Sequence, residues 1–198
     1  MTLPNQLSIL RMILTPIFVI LLLFNRYYSA QVATFVFFIA SLTDWYDGYV
    51  ARRYGYVSKW GKFLDPLADK FLISSSLIVF WMLEYIKLWV VVVIILRDFL
   101  ITGLRFYATE TRKPVITNNL AKWKTFTQIL FIYFILFYYN IKSINRAEYQ
   151  GFRSWVDKVA VLVTFFTVLT GVMYLYENRG HIRSIVLRFY RVFIPSDL

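Results

Sequence analysis

The chain contains no cysteine. That excludes disulfides, thiol nucleophiles and every metal site built on thiolates. It contains a single histidine, His181, so no site can draw two imidazoles from one chain. Acidic residues are scarce as well: 11 Asp and Glu stand against 22 Lys and Arg, leaving a net charge of +11. No long linker or low-complexity run divides the 198 residues, and one domain over 1–198 is the simplest organisation.

What the chain has in abundance is apolar surface. Hydrophobic residues make up 59% and aromatic residues 20%, well above a typical soluble domain. The positive charge lies between apolar runs rather than in one basic patch. It therefore reads as a determinant of topology that meets anionic lipid head groups, and no nucleic-acid partner is expected. Six stretches are long enough to span a bilayer, roughly 7–25, 30–52, 63–84, 87–108, 119–140 and 156–177. The expected fold is an all-α integral membrane protein, a bundle of six transmembrane helices. A cleaved signal peptide at the N-terminus fits poorly. Tyr28 stands where a small residue is wanted, and Pro16 interrupts the apolar core.

The distribution of Lys and Arg orients the bundle. With six spans, the second and fourth loops share a side with both termini. They carry Arg52, Arg53, Lys59, Lys62, Arg105, Arg112, Lys113, Lys122 and Lys124. The positive-inside rule puts that side, and both termini, in the cytoplasm. The Arg-bearing tail after His181 reads as an amphipathic helix on the membrane surface.

One segment breaks the apolar pattern: "DWYDGYVARRYGYVSKWGKFLDPLADK", residues 44–70. Its aspartates, Asp44, Asp47, Asp65 and Asp69, are the only acidic residues in the first 83 positions. Spacings of three and four put each pair on one helix face. A short connection makes the two helices antiparallel neighbours, so the four carboxylates converge near the cytoplasmic surface. A carboxylate at a helix centre costs about 2.5–3.5 kcal/mol on insertion scales. Divalent cations offset that well, since Mg2+ prefers carboxylates and phosphate oxygens. Two such ions would clamp a phosphoanhydride and its departing oxygen.

Blander readings exist for each residue alone. Asp65 before Pro66 suits a helix N-cap. Asp44 and Asp47 would pair with Arg52 and Arg53 at a helix end. Gly48 would serve close helix packing as readily as close approach of a ligand to the backbone. The Arg97–Asp98 pair reads as structural. A divalent-cation transporter would also converge acids in a bundle, but near the midplane and with internal repeats, neither of which is evident here.

The eight positions Asp44, Asp47, Gly48, Ala51, Arg52, Gly61, Asp65 and Asp69, at this spacing, resemble the signature of the CDP-alcohol phosphotransferases. That family transfers a phosphatidyl or similar group from a CDP-linked donor to an alcohol and releases CMP. The resemblance implies two divalent cations, Mg2+ or Mn2+, held by Asp44, Asp47, Asp65 and Asp69, with Asp69 also the catalytic base. It implies a CDP site lined by Asn5, Gly48, Ala51, Arg52, Ser58 and Gly61, and a homodimer.

"LPNQLSILRMIL", "RDFLITGLRFYA" and "NNLAKWKTFTQ" are similar to the bacterial phosphatidylglycerophosphate synthase branch, although Ala121 stands where that branch often has Gly. This implies a bacterial inner-membrane enzyme with its site facing the cytoplasm. The expected donor is CDP-diacylglycerol and the expected acceptor glycerol 3-phosphate, with Arg105, Arg112, Lys122 and Lys124 holding the acceptor phosphate. A phosphate monoester needs such cations. Phosphatidylinositol phosphate synthase and CDP-using cardiolipin synthase share the signature and differ in acceptor.

Overall fold

The structure is a computed structural model. It describes residues 3–24, 28–54, 61–110, 120–145 and 150–180, less the side chains at 3–4, 51–54, 61–66, 109–110, 120–122, 144–145 and 150. Six helices follow in order: α1 (Leu3–Leu23), α2 (Ser29–Tyr54), α3 (Gly61–Met82), α4 (Leu88–Glu110), α5 (Leu120–Asn145) and α6 (Gln150–Glu177). They correspond to the six apolar stretches, with α6 starting several residues earlier than the hydropathy suggests. The extra turn, "QGFRSW", is polar enough to hide from a hydropathy count, yet Phe152 stacks on Tyr138 of α5. At about 1.5 Å per residue, helices of 21 to 28 residues match or exceed the ~30 Å of a bilayer core.

The bundle is apolar on the outside. Ile13, Ile17 and Ile20 of α1, Phe35 and Phe38 of α2, Leu96, Phe99 and Leu100 of α4, and Leu162 and Phe165 of α6 are all exposed. Lipid solvates such a surface; water penalises it. By length and composition, two helices among the described residues are apolar enough to cross a membrane, Asn5–Leu23 and Gly151–Glu177, with mean hydropathies of 2.1 and 2.0.

Helix α1 is built inside out. Asn5, Ser8, Arg11 and Thr15 recur every three or four residues and are all buried, while its isoleucines face outward. It runs unbroken through Pro16. Beside that position, where the ring removes a backbone donor, the Thr15 hydroxyl donates to the Arg11 carbonyl at 2.8 Å.

Packing is organised around α1 at one end of the sequence and α6 at the other. Helix α1 lies against both α2 and α3, and α6 lies against α4 and α5. Contacts of α3 with α4 and α5, and of α2 with α5, join the halves. The short α2–α3 connection predicts direct neighbours. Among the described residues, the main contacts of α2 and α3 are instead with α1. Small residues explain how closely α2 docks: Ala30, Ala33 and Ala40 share its buried face with Phe37. Phe37 meets Phe18 of α1 at 5.3 Å and Tyr133 of α5 at 5.2 Å between ring centroids. The Tyr139 hydroxyl donates to the Leu22 carbonyl at 3.0 Å, tying α5 to α1.

Candidate active site

Asp44 and Asp47 sit three residues apart on α2 and both meet Arg11 of α1; the side chains of Arg52 and Arg53 lie outside the described residues. Arg11 Nη1 lies 2.6 Å from Asp44 Oδ1, and Nη2 donates to Asp47 Oδ2. Arg11 is fully buried and Asp47 nearly so. One guanidinium thus fixes the mutual orientation of two carboxylates, which the planar fork of arginine does better than a lysine point charge. Gly48 follows directly on the same helix, and Asn5 is buried on the α1 face that carries Arg11.

Asp65 and Asp69 lie one turn apart on α3. Since α3 begins at Gly61, four residues before Asp65, the N-cap expected for Asp65 is not there; the residue lies inside the helix. Its side chain falls outside the described residues, as do those of Ala51, Arg52, Gly61 and Lys122. Ser58, Arg112 and the tail from His181 lie outside them entirely. Asp69 is partly exposed, and the ammonium of its neighbour Lys70 is 3.5 Å away.

Lys70 also leads to a second cluster. Its Nζ is 3.7 Å from Asp98 Oδ2 on α4. Asp98 accepts from Lys124 of α5 on both carboxylate oxygens and from Arg97 at 3.3 Å. Arg97 in turn donates to Thr170 of α6 at 3.2 Å and lies over Gly171. The expected Arg97–Asp98 pair is present, but Lys124 is the closer partner. Lys124 is therefore not a solvent-facing cation; it is buried against α4. Arg105, two turns beyond Arg97, is exposed, with its guanidinium 5.9 Å from the Tyr174 ring centroid.

The two clusters have opposite electrostatic character. In the first, two carboxylates share one arginine. In the second, three cations surround one carboxylate. Lys70 lies between Asp69 and Asp98. Carboxylates suit a cation, and a group of cations suits a phosphate. The donor set of the first, carboxylate oxygens without imidazole or thiolate, matches a hard cation such as Mg2+. Among the described residues no three potential ligands converge as a cluster, and the side chain of Asp65 is not among those described.

Sequence reasoning missed Arg11 and Lys70 as partners of the aspartates. The signal for Arg11 was present: a lone charge in an apolar helix demands a buried partner.

The profile of the CDP-alcohol phosphatidyltransferase family matches residues 1–192, and the chain belongs to that family. It is similar to several bacterial proteins named CDP-diacylglycerol–glycerol-3-phosphate 3-phosphatidyltransferase. It is 38% identical over 188 residues to that of Bacillus subtilis (strain 168), covering 89% of this chain and 94% of the relative. It is 30% identical over 172 residues to that of Rickettsia typhi, covering 87% and 94%. It is 35% identical over 142 residues to that of Haemophilus influenzae, covering 69% and 76%.

Proposed function

We propose that this chain transfers the phosphatidyl group of CDP-diacylglycerol to sn-glycerol 3-phosphate, giving phosphatidylglycerol phosphate and CMP. The observation that carries the reading is the complete eight-position acidic signature in a chain similar over nearly its whole length to enzymes of that name. The opposite charge of the two clusters supports it independently.

Asp44, Asp47, Asp65 and Asp69 would hold two divalent cations, Mg2+ or Mn2+. When bound, such ions neutralise charge on a diphosphate and on its departing oxygen. Asn5, Gly48, Ala51, Arg52, Ser58 and Gly61 line the CDP-binding surface. Arg105, with Arg112 and Lys122, holds the acceptor phosphate, and Lys124 contributes to the same positive field from its buried position against Asp98. Asp69 accepts the proton from the primary hydroxyl of glycerol 3-phosphate. That oxygen bonds to the phosphorus carrying diacylglycerol, and the bond from that phosphorus to the CMP oxygen breaks, its electron pair leaving with CMP.

All six helices cross the bacterial inner membrane, with both termini and the site on the cytoplasmic side, as the distribution of Lys and Arg favours. The donor then enters from the lipid and the acceptor from the cytoplasm. The family resemblance further suggests a homodimer.

The test is CMP release by the purified protein with CDP-diacylglycerol and Mg2+, offering glycerol 3-phosphate, inositol phosphate or phosphatidylglycerol in turn. Release is expected with glycerol 3-phosphate. Preference for another acceptor would reassign the substrate within the family, and no release with any would remove the activity.

A further inference from the structure

We propose that Arg11 is a positioning residue that acts as the resident counter-cation of Asp44 and Asp47, and that a divalent ion must compete with it for those carboxylates. Arg11 thereby sets how tightly the acidic cluster takes metal. The inference rests on the divalent-cation reading above.

Three observations lead to it. The guanidinium is fully buried and meets both carboxylates from a different helix, 36 and 33 positions away in sequence. It contacts both carboxylates at once. It is also incompletely satisfied. Nη1 approaches Asp44 at 2.6 Å without the alignment of a hydrogen bond, and Nε has no hydrogen-bond partner among the described residues.

A buried guanidinium with unmet donors is a costly arrangement. Carboxylate oxygens are the donors a hard dication prefers. Yet any dication bound by those oxygens sits within a few ångströms of a fixed positive charge. The two cations therefore oppose each other, as neighbouring like charges do. Helix α1 cannot easily withdraw the arginine. The helix is anchored by Phe18 and Leu22 in the core.

A residue that merely braces α1 against α2 would make a different prediction. Its loss would weaken the fold equally with and without metal, and would loosen the carboxylates that bind it. Competition predicts the reverse: neutralising Arg11 tightens metal binding, and metal then rescues stability.

The experiment measures Mn2+ binding to the purified full chain in detergent by electron paramagnetic resonance, and thermal unfolding in EDTA and in saturating Mn2+. Wild type, Arg11→Gln and Arg11→Lys are compared. Arg11→Gln should bind Mn2+ about ten-fold more tightly and gain more thermal stability from Mn2+ than wild type does. Arg11→Lys, which keeps the charge, should stay within about two-fold of wild type. Recovery of folded Arg11→Gln only when Mn2+ is present also supports the proposal. Unchanged or weaker Mn2+ binding by Arg11→Gln overturns it, as does failure of that variant to fold even with the ion. If no form binds Mn2+, the divalent-cation reading falls and takes this one with it; binding by wild type with no gain in Arg11→Gln overturns the Arg11 role alone.

Discussion

Lys124 of α5 is sealed onto Asp98 of α4, both of its contacts running to the two oxygens of one buried carboxylate. The pair is the tightest tie between those two helices among the described ion pairs, and it draws in Arg97 and Lys70. It turns the neighbourhood of the expected acceptor site into a field with more positive than negative charge.

Breaking this pair from one side leaves a buried charge uncompensated. Asp98→Asn and Lys124→Met should each lower stability by about 3–5 kcal/mol. Asp98→Asn should cost more, because it takes a carboxylate from three cations where Lys124→Met still leaves Asp98 two. The double variant Asp98→Leu/Lys124→Met should recover part of the loss. Thermal unfolding in detergent checks the order; a double variant as unstable as the two losses combined would deny the coupling.

Asp69→Asn should reduce kcat by about 10²–10⁴-fold, the usual scale of a lost general base, while CDP-diacylglycerol binding persists. Single-turnover kinetics and donor binding measured side by side separate the two. Retained turnover would end the assignment of Asp69 as the base.

Arg105→Ala should raise KM for glycerol 3-phosphate about ten-fold or more with a smaller effect on the donor, as loss of a charge-assisted phosphate contact does. Tyr174 supports that arginine through its ring face. Tyr174→Phe should therefore be near wild type, and Tyr174→Leu should shift the same KM part of the way. An acceptor KM indifferent to Arg105 would take it out of the site.

Gly171→Ala should destabilise by about 1–3 kcal/mol, the range for overpacking. The added Cβ would lie 3.0 Å from Arg97 Cγ and 3.2 Å from Nε, and Arg97 is tied to Asp98 and Thr170. Gly103→Ala, where nothing lies within 4 Å, is the control and should be stable. Equal melting temperatures for the two would show that Arg97 yields freely.

The sequence alone determines the helical count, the apolar exterior and the family. Each of these is local: apolar runs set helix length, and spacings of three and four set which aspartates share a face. It also carries a hint that α1 is special, in the recurrence of Asn5, Ser8, Arg11 and Thr15 every three or four positions. The short loop between α2 and α3 promises neighbours, but loop length limits distance without saying which helix fills the space between. Only the tertiary structure decides that α1 lies against both, that Arg11 meets Asp44 and Asp47, and that Lys124 belongs to Asp98. The physical reason is that a charge in an apolar helix requires a partner but does not name one. The choice among distant partners is made by how the helices pack, and no spacing along the chain records it.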